Sequence, residues 1–313
     1  MIVDITETTT SQVAKEMNRL REAGGVVALG RVLTLVISTT AEHMEQALRA
    51  ANLASREHPC RIIVLAAGDP QAETGLDAQI RVGGDAGASD VVILFGSGAN
   101  AEDSESLIGA LLLPDAPIVV WWPHGAPDVP AASGLGRMAH RRITDTAAST
   151  HPRRALMHLR QSYRAGDTDL AWTRLTSWRI QLAAILDGLD AAEVTAVTVD
   201  GAEDSPSTIL LAAWLTRCLG VPVTMAHSKA GQGMRSVRLR RAAGDVVLSR
   251  PSGDVASLYQ QGRPVQHISL PQRGDQDCLA EELRRLDPDE VFGDVVVNGL
   301  PLTDLKAVLP SER

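Results

Sequence analysis

The stretch 163-YRAGDTDLAWTRLTSWR-179 gathers two of the chain's five tryptophans with Arg164, Arg174 and Arg179 and the carboxylates of Asp167 and Asp169. Tryptophan and arginine are the types that dominate binding hot spots, because an indole buries a large apolar area and a guanidinium makes forked hydrogen bonds. Helical spacing puts Trp178 into an apolar seam with Ala171, Leu175, Leu182, Ile185 and Leu189. It leaves Trp172 and Arg179 on an adjoining face and directs Arg174 elsewhere. Trp172, Arg174 and Arg179 are therefore candidates for gripping a partner. Trp121 and Trp122 join them, closing the apolar run 118-IVVWWP-123 so that one ring serves a core and the other points to the opposite face. Asp167 as a cap and Asp169 in the first turn are expected to start a helix over 168–188.

Two other clusters hold chemistry-bearing types. In 203-EDSPST-208 the hydroxyls of Ser205, Ser207 and Thr208 open a helix directly after a strand, where α/β folds hold phosphates. Glu203 and Asp204 oppose an anion there, and helix capping by Ser205 with Pro206 in the first turn accounts for the same residues. In 57-EHPCR-61, His58 and Arg61 flank Cys60 and can lower its pKa, which makes the thiol a candidate for redox sensitivity. Cys60 enters its strand at the amino end, opposite the usual ligand edge, so a half-buried structural cysteine is the competing reading. The glycines of 83-GGDAGASD-90 open a strand rather than a helix, which favours a tight link between antiparallel strands over a dinucleotide cradle. The chain has no phosphate-loop, nucleophile-elbow or zinc-helix motif, and its eight histidines are dispersed. Neither a catalytic set, a cofactor nor a metal is expected.

Positioning these residues requires two cores, since 313 residues exceed the usual single domain. A 44% hydrophobic and 22% charged composition suits layered helix-on-sheet packing, and a net charge of −8 disfavours nucleic acid and anionic membranes as partners. Three scattered cysteines and an N-terminus without a basic-then-apolar leader fit a reducing cytoplasm. The pattern predicts an α/β chain of two domains, 1–150 and 151–313, each a mixed β-sheet flanked by helices. The first alternates a helix at 11–23, strands at 32–38 and 62–67 around a helix at 41–55, strands at 78–82 and 91–95, a helix at 102–113 and the tryptophan strand. The second is entered through helices at 152–163 and 168–188. It continues as a parallel βαβ unit over 194–226 and strands at 234–240 and 245–250.

The segments 57-EHPCRIIVL-65, 83-GGDAGASDVVIL-94, 111-LLLPDAPIVVWWP-123, 141-RRITD-145, 166-GDTDLAWTRLTSWR-179, 205-SPSTILLAAWL-215 and 268-ISLPQR-273, taken in this order, resemble the glucose-6-phosphate dehydrogenase assembly protein family, OpcA, of actinobacteria and cyanobacteria. The resemblance spans nearly the whole chain. It implies a non-catalytic protein that binds glucose-6-phosphate dehydrogenase and assembles or activates it, in support of the oxidative pentose phosphate pathway and NADPH supply. It brings no catalytic residues. The cysteine-linked activation of cyanobacterial members finds no local cysteine pair in this sequence. The alternative from a different class is a sugar-phosphate-binding enzyme or sensor built on the 203–208 helix start and a Trp-lined cleft.

Overall fold

The structure is a computed structural model that describes residues 1–23, 32–82, 90–202, 204–228, 233–303 and 308–310. The chain forms two compact units, each built on a mixed sheet.

The first unit comprises Met1–Asp145, Gly166–Thr168 and Asp275–Pro288. Its sheet is built from β1 (Ile2–Ile5), β2 (Leu33–Thr40), β3 (Cys60–Ala67), β4 (Gly75–Arg81), β5 (Asp90–Ser97), β6 (Ile118–Trp122), β7 (Arg141–Thr144) and β8 (Asp167–Asp169). The strand order is β1-β4-β5-β3-β2-β6-β7-β8. Strands β5, β3, β2, β6 and β7 run parallel, while β4 lies antiparallel to β5, as expected for 78–82 and 91–95. The central strands are buried on both faces, which is why β3 is apolar throughout 62–67, with only the buried Arg61 at its start carrying a charge. Helices α1 (Thr10–Ala23) and α2 (Met44–Ala54) form where predicted. On α1, Val13, Met17 and Leu20 recur at helical spacing and are at most 4% exposed. Burial of side chains of that size stabilises by about 1.5–3 kcal/mol each. The helix expected over 102–113 is confined to α3 (Glu105–Ile108) and a short tight turn after it, because Gly109 and Pro114 interrupt it. The segment after β6 ends in a short helix α4 (Gly134–Met138) capped by the Ser133 hydroxyl.

The second unit comprises Thr146–Ala165, Asp169–Gly274 and Asp289–Arg313. Helix α5 (Pro152–Ser162) matches its prediction; the expected helix over 168–188 is divided into α6 (Leu170–Thr173) and α7 (Thr176–Asp187). Strand β9 (Val194–Ala202), α8 (Pro206–Leu219) and β10 (Val223–Ser228) make the parallel βαβ unit. Next come β11 (Met234–Arg241), β12 (Val246–Ser249), β13 (Val255–Gln260) and β14 (Gln266–Ser269), joined as an antiparallel meander. Helices α9 (Asp275–Arg284), in the first unit, and α10 (Glu290–Asp294), in the second, precede β15 (Val308–Pro310), which pairs with β10. The seven-stranded order is β14-β13-β12-β11-β9-β10-β15. Its core joins Trp172, Trp178, Leu182, Val197, Val199, Leu211 and Phe292.

The single boundary expected near 150 is replaced by a more interlaced division. Segment 166–168 supplies an edge strand to the first sheet, and α9 packs on α2. Glu282 of α9 takes both Nε and Nη2 of Arg141, at 3.0 and 2.5 Å, with both side chains buried. Neither return was legible, because each is selected by a partner far away in sequence. The glycine link at 83–89 lies outside the described residues.

Candidate functional site

The 163–179 stretch turns inward. Gly166 carries a positive φ of 93°, and a Cβ there would press on the His140 carbonyl and the Arg142 guanidinium. That turn sets Asp167 on strand β8, fully buried and ion-paired with Nε of Arg142, which also donates to the Ala139 carbonyl. Asp167 is therefore not the helix cap: a guanidinium contributed by β7 claims its carboxylate. The cap is Asp169, two residues later. Its Oδ1 accepts from the Ala171 N–H, and the same carboxylate accepts from the backbone and hydroxyl of Thr146.

Trp172 is only 1% exposed, with Nε1 donating to Asp289 at 2.8 Å and its ring 5.8 Å from that of Phe292. The Arg179 guanidinium lies 3.7 Å from the Trp172 ring centroid and donates to the Thr176 hydroxyl. Trp172 is thus a core residue roofed by Arg179, not an exposed contact. Its indole N–H finds a carboxylate 117 residues later in sequence, which no local pattern could reveal. Trp178 fills the predicted seam. Trp121 and Trp122 are also buried; Trp122 donates to Asp103 at 2.8 Å, and the Trp121 N–H has no acceptor among the described residues. Burial thus takes three of the five proposed contact residues below the surface, leaving Arg174 and Arg179 half-buried.

Cys60 has no exposed surface and Cys278 is likewise buried, which removes the thiols from soluble oxidants. Cys218 is exposed, but local desolvation pushes its thiol up, with Asp294 adding to the shift and Arg217 opposing it. No group of three or more His, Cys, Asp or Glu among the described residues is placed to hold a metal. No described helix is long and apolar enough to cross a membrane.

The feature that sequence reasoning located only in part is a cleft of about 310 Å³ in the second unit. Ser205 and Ser207 stand at one side of it, at the start of α8; Arg174, Arg250 and Arg273 also line it, with Trp178 and Gly233. Ser205 is the predicted N-cap, accepting from the Thr208 N–H, and the Ser207 hydroxyl is committed to the Ala171 carbonyl. Arg273 donates to the Thr173 carbonyl at 2.6 Å. Arg250 is 7% exposed, donates to the Leu270 carbonyl at 2.7 Å and lies 5.4 Å from the Trp178 ring centroid. Desolvation holds the Arg250 pKa below its ordinary value, with Asp254 opposing the shift. Among the described residues the lining holds three arginines and the N-terminus of α8 and no carboxylate, an arrangement that favours an anion. Arg250 and Arg273 escaped sequence reasoning because they lie on segments distant from α8.

Two family profiles match the chain, both under the OpcA name and both described as parts of a glucose-6-phosphate dehydrogenase subunit. Residues 51–161 match its N-terminal domain and residues 165–296 its C-terminal domain. No curated protein sequence matches the chain. Among solved structures, a 3-ketoreductase from Actinomadura kijaniata in complex with NADP aligns at 13% identity and TM-score 0.49, over 88% of this chain and 96% of its own. An oxidoreductase from Sinorhizobium meliloti aligns at 10% and 0.49, over 87% and 96%. Glucose-6-phosphate 1-dehydrogenase from Mycobacterium avium aligns at 13% and 0.44, over 90% and 94%. These likenesses are too distant to bring an activity or a cofactor with them. The two profile matches, one after the other along most of the sequence, have no such weakness: the chain belongs to the OpcA family of glucose-6-phosphate dehydrogenase assembly proteins.

Proposed function

We propose that this chain is a non-catalytic partner of glucose-6-phosphate dehydrogenase that binds the enzyme and favours its active oligomeric state, in support of NADPH supply. The family match over both halves carries this reading. A protein that binds the assembled enzyme better than its separated or inactive form shifts the population toward the active state, about 1.4 kcal/mol for each tenfold preference.

For docking, Arg174 and Arg179 remain from the sequence-based set, with Trp172 acting beneath Arg179 as its support. Elsewhere on the second unit an exposed pair, Tyr259 and Val265, at 48% and 50% exposure, lies at the turn end of the β13–β14 hairpin. Exposed tyrosine is a frequent interface anchor, combining a large apolar face with a hydrogen-bonding tip. Titrating the purified dehydrogenase with this protein while following turnover and light scattering tests the function. Activity and scattering mass should rise together and saturate; a dehydrogenase unchanged in both would overturn the reading. Arg179→Ala and Tyr259→Glu are each expected to raise the protein concentration needed for half-saturation about tenfold, the equivalent of 1.4 kcal/mol. Wild-type titration curves for both variants would remove the docking assignment while leaving the function standing.

A further inference from the structure

We infer that the arginine-lined cleft at the start of α8 is a binding site for a small ligand bearing a phosphate monoester, so that the chain carries a metabolite site of its own. The inference goes beyond the partner reading and does not depend on it.

Two independent observations converge. The first is Arg250. Its guanidinium is more than nine-tenths buried, lines the cleft and makes no ion pair among the described residues; its partners are a backbone carbonyl and the face of Trp178. Burying a cation without a counter-charge is costly, and a fork with one arm on a carbonyl retains donors suited to a tetrahedral oxyanion. The second is the helix itself, fourteen residues long, with its positive end at the same place and Pro206 at its first position.

Charge and size narrow the ligand. Arg174 and Arg273 line the cavity together with Arg250. Asp204 is exposed beside the cap and Asp254 acts on Arg250 from the β12–β13 turn, and neither is among the described lining residues. Glu203 lies outside the described residues. A volume of about 310 Å³ lies at the small end of metabolite pockets. It suits a phosphorylated sugar or a comparably small ester and is too small to enclose a dinucleotide.

The test uses the full chain without the dehydrogenase, so its failure and the failure of the partner reading are separate events. Isothermal titration and thermal shift are run with inorganic phosphate, glucose 6-phosphate and uncharged glucose, at constant ionic strength in chloride. The phosphate-bearing probes should bind saturably and raise the unfolding midpoint, and glucose should do neither. Tighter binding of the ester than of inorganic phosphate would identify the sugar as part of the ligand; equal binding would identify the phosphate alone. Arg250→Met should weaken phosphate-probe binding at least tenfold while leaving the unliganded midpoint unchanged or raised, because it removes a buried charge that makes no ion pair among the described residues. A structural role for Arg250 predicts the opposite, a lowered unliganded midpoint. Arg174→Gln, at a half-buried position, guards against a misfolded first variant and should weaken the same probes severalfold. No binding of either phosphate-bearing probe by the wild type, or undiminished binding by both variants, would overturn the inference.

Discussion

The Arg142–Asp167 pair gives the sharpest test of how the 163–179 stretch works. Both side chains are at least nine-tenths buried, at 9% and 0% exposure, and Asp167 stands on β8 only because the left-handed Gly166 turns the chain there. Asp167→Ala removes the carboxylate and leaves the guanidinium donating to the neutral Ala139 carbonyl. An exposed pair would yield about 0.2–1 kcal/mol on truncation. A buried one broken on one side costs about 3–5 kcal/mol, because the surviving charge is left desolvated. Against a total stability of about 5–15 kcal/mol, the buried figure is a large fraction of the whole. Urea unfolding followed by tryptophan fluorescence reads this out, since Trp121 and Trp122 lie in the same unit. Circular dichroism before denaturant confirms that the variant starts folded. The double variant Arg142→Met with Asp167→Ala should be less destabilised than the sum of the two single changes, by about 0.5–3 kcal/mol. A loss below about 1 kcal/mol for Asp167→Ala would refute the argument, because that is the surface value.

Two further outcomes follow from the tryptophan core and from a histidine pair. Trp172→Phe keeps a ring against Phe292 but loses the bond to Asp289 and weakens the Arg179 stack; a cost of about 1–3 kcal/mol is expected in the same unfolding assay, with Trp172→Ala costing about 3–5 kcal/mol. His124 stacks on His43 with ring centroids 4.2 Å apart, and desolvation first, then the His43 charge, hold its pKa below the ordinary value against Asp145 and Asp275. The unfolded chain therefore takes the proton first as pH falls, so this contribution to stability is complete above about pH 6.5 and is lost progressively below it. Proton NMR of the imidazole C–H signals should show His124 titrating below a free histidine, and His43→Ala should move it upward; a normal titration would remove the argument.

Local chemistry was legible in the sequence, and long-range pairing was not. The seam Val13, Met17, Leu20, the cap Ser205 with Pro206, the parallel βαβ unit and the antiparallel β4–β5 pair all follow from spacing and residue type, and all are present. Asp167 read as a cap because aspartate before a helical pattern usually is one; Arg142, 25 residues earlier, outcompetes the helix for it. Trp172 read as a surface anchor because its burial depends on Asp289 and Phe292, more than a hundred residues later. The cleft was half visible. The hydroxyl side is local to α8, whereas Arg174, Arg250 and Arg273 come from the α6–α7 junction, the end of β12 and the segment before α9.

The interlaced first unit has a consequence for the order in which the protein can be made. Residues 1–145 leave the ribosome long before Asp275–Pro288, yet Arg141 takes its counter-charge from Glu282, and α2 is covered by α9. Until then the nascent first unit carries an unmatched guanidinium and an uncovered helix, while every residue of the βαβ segment has already emerged. The N-terminal unit therefore starts first and finishes late. Its completion depends on contacts of high sequence separation, which slow folding and prolong exposure of unfinished surface.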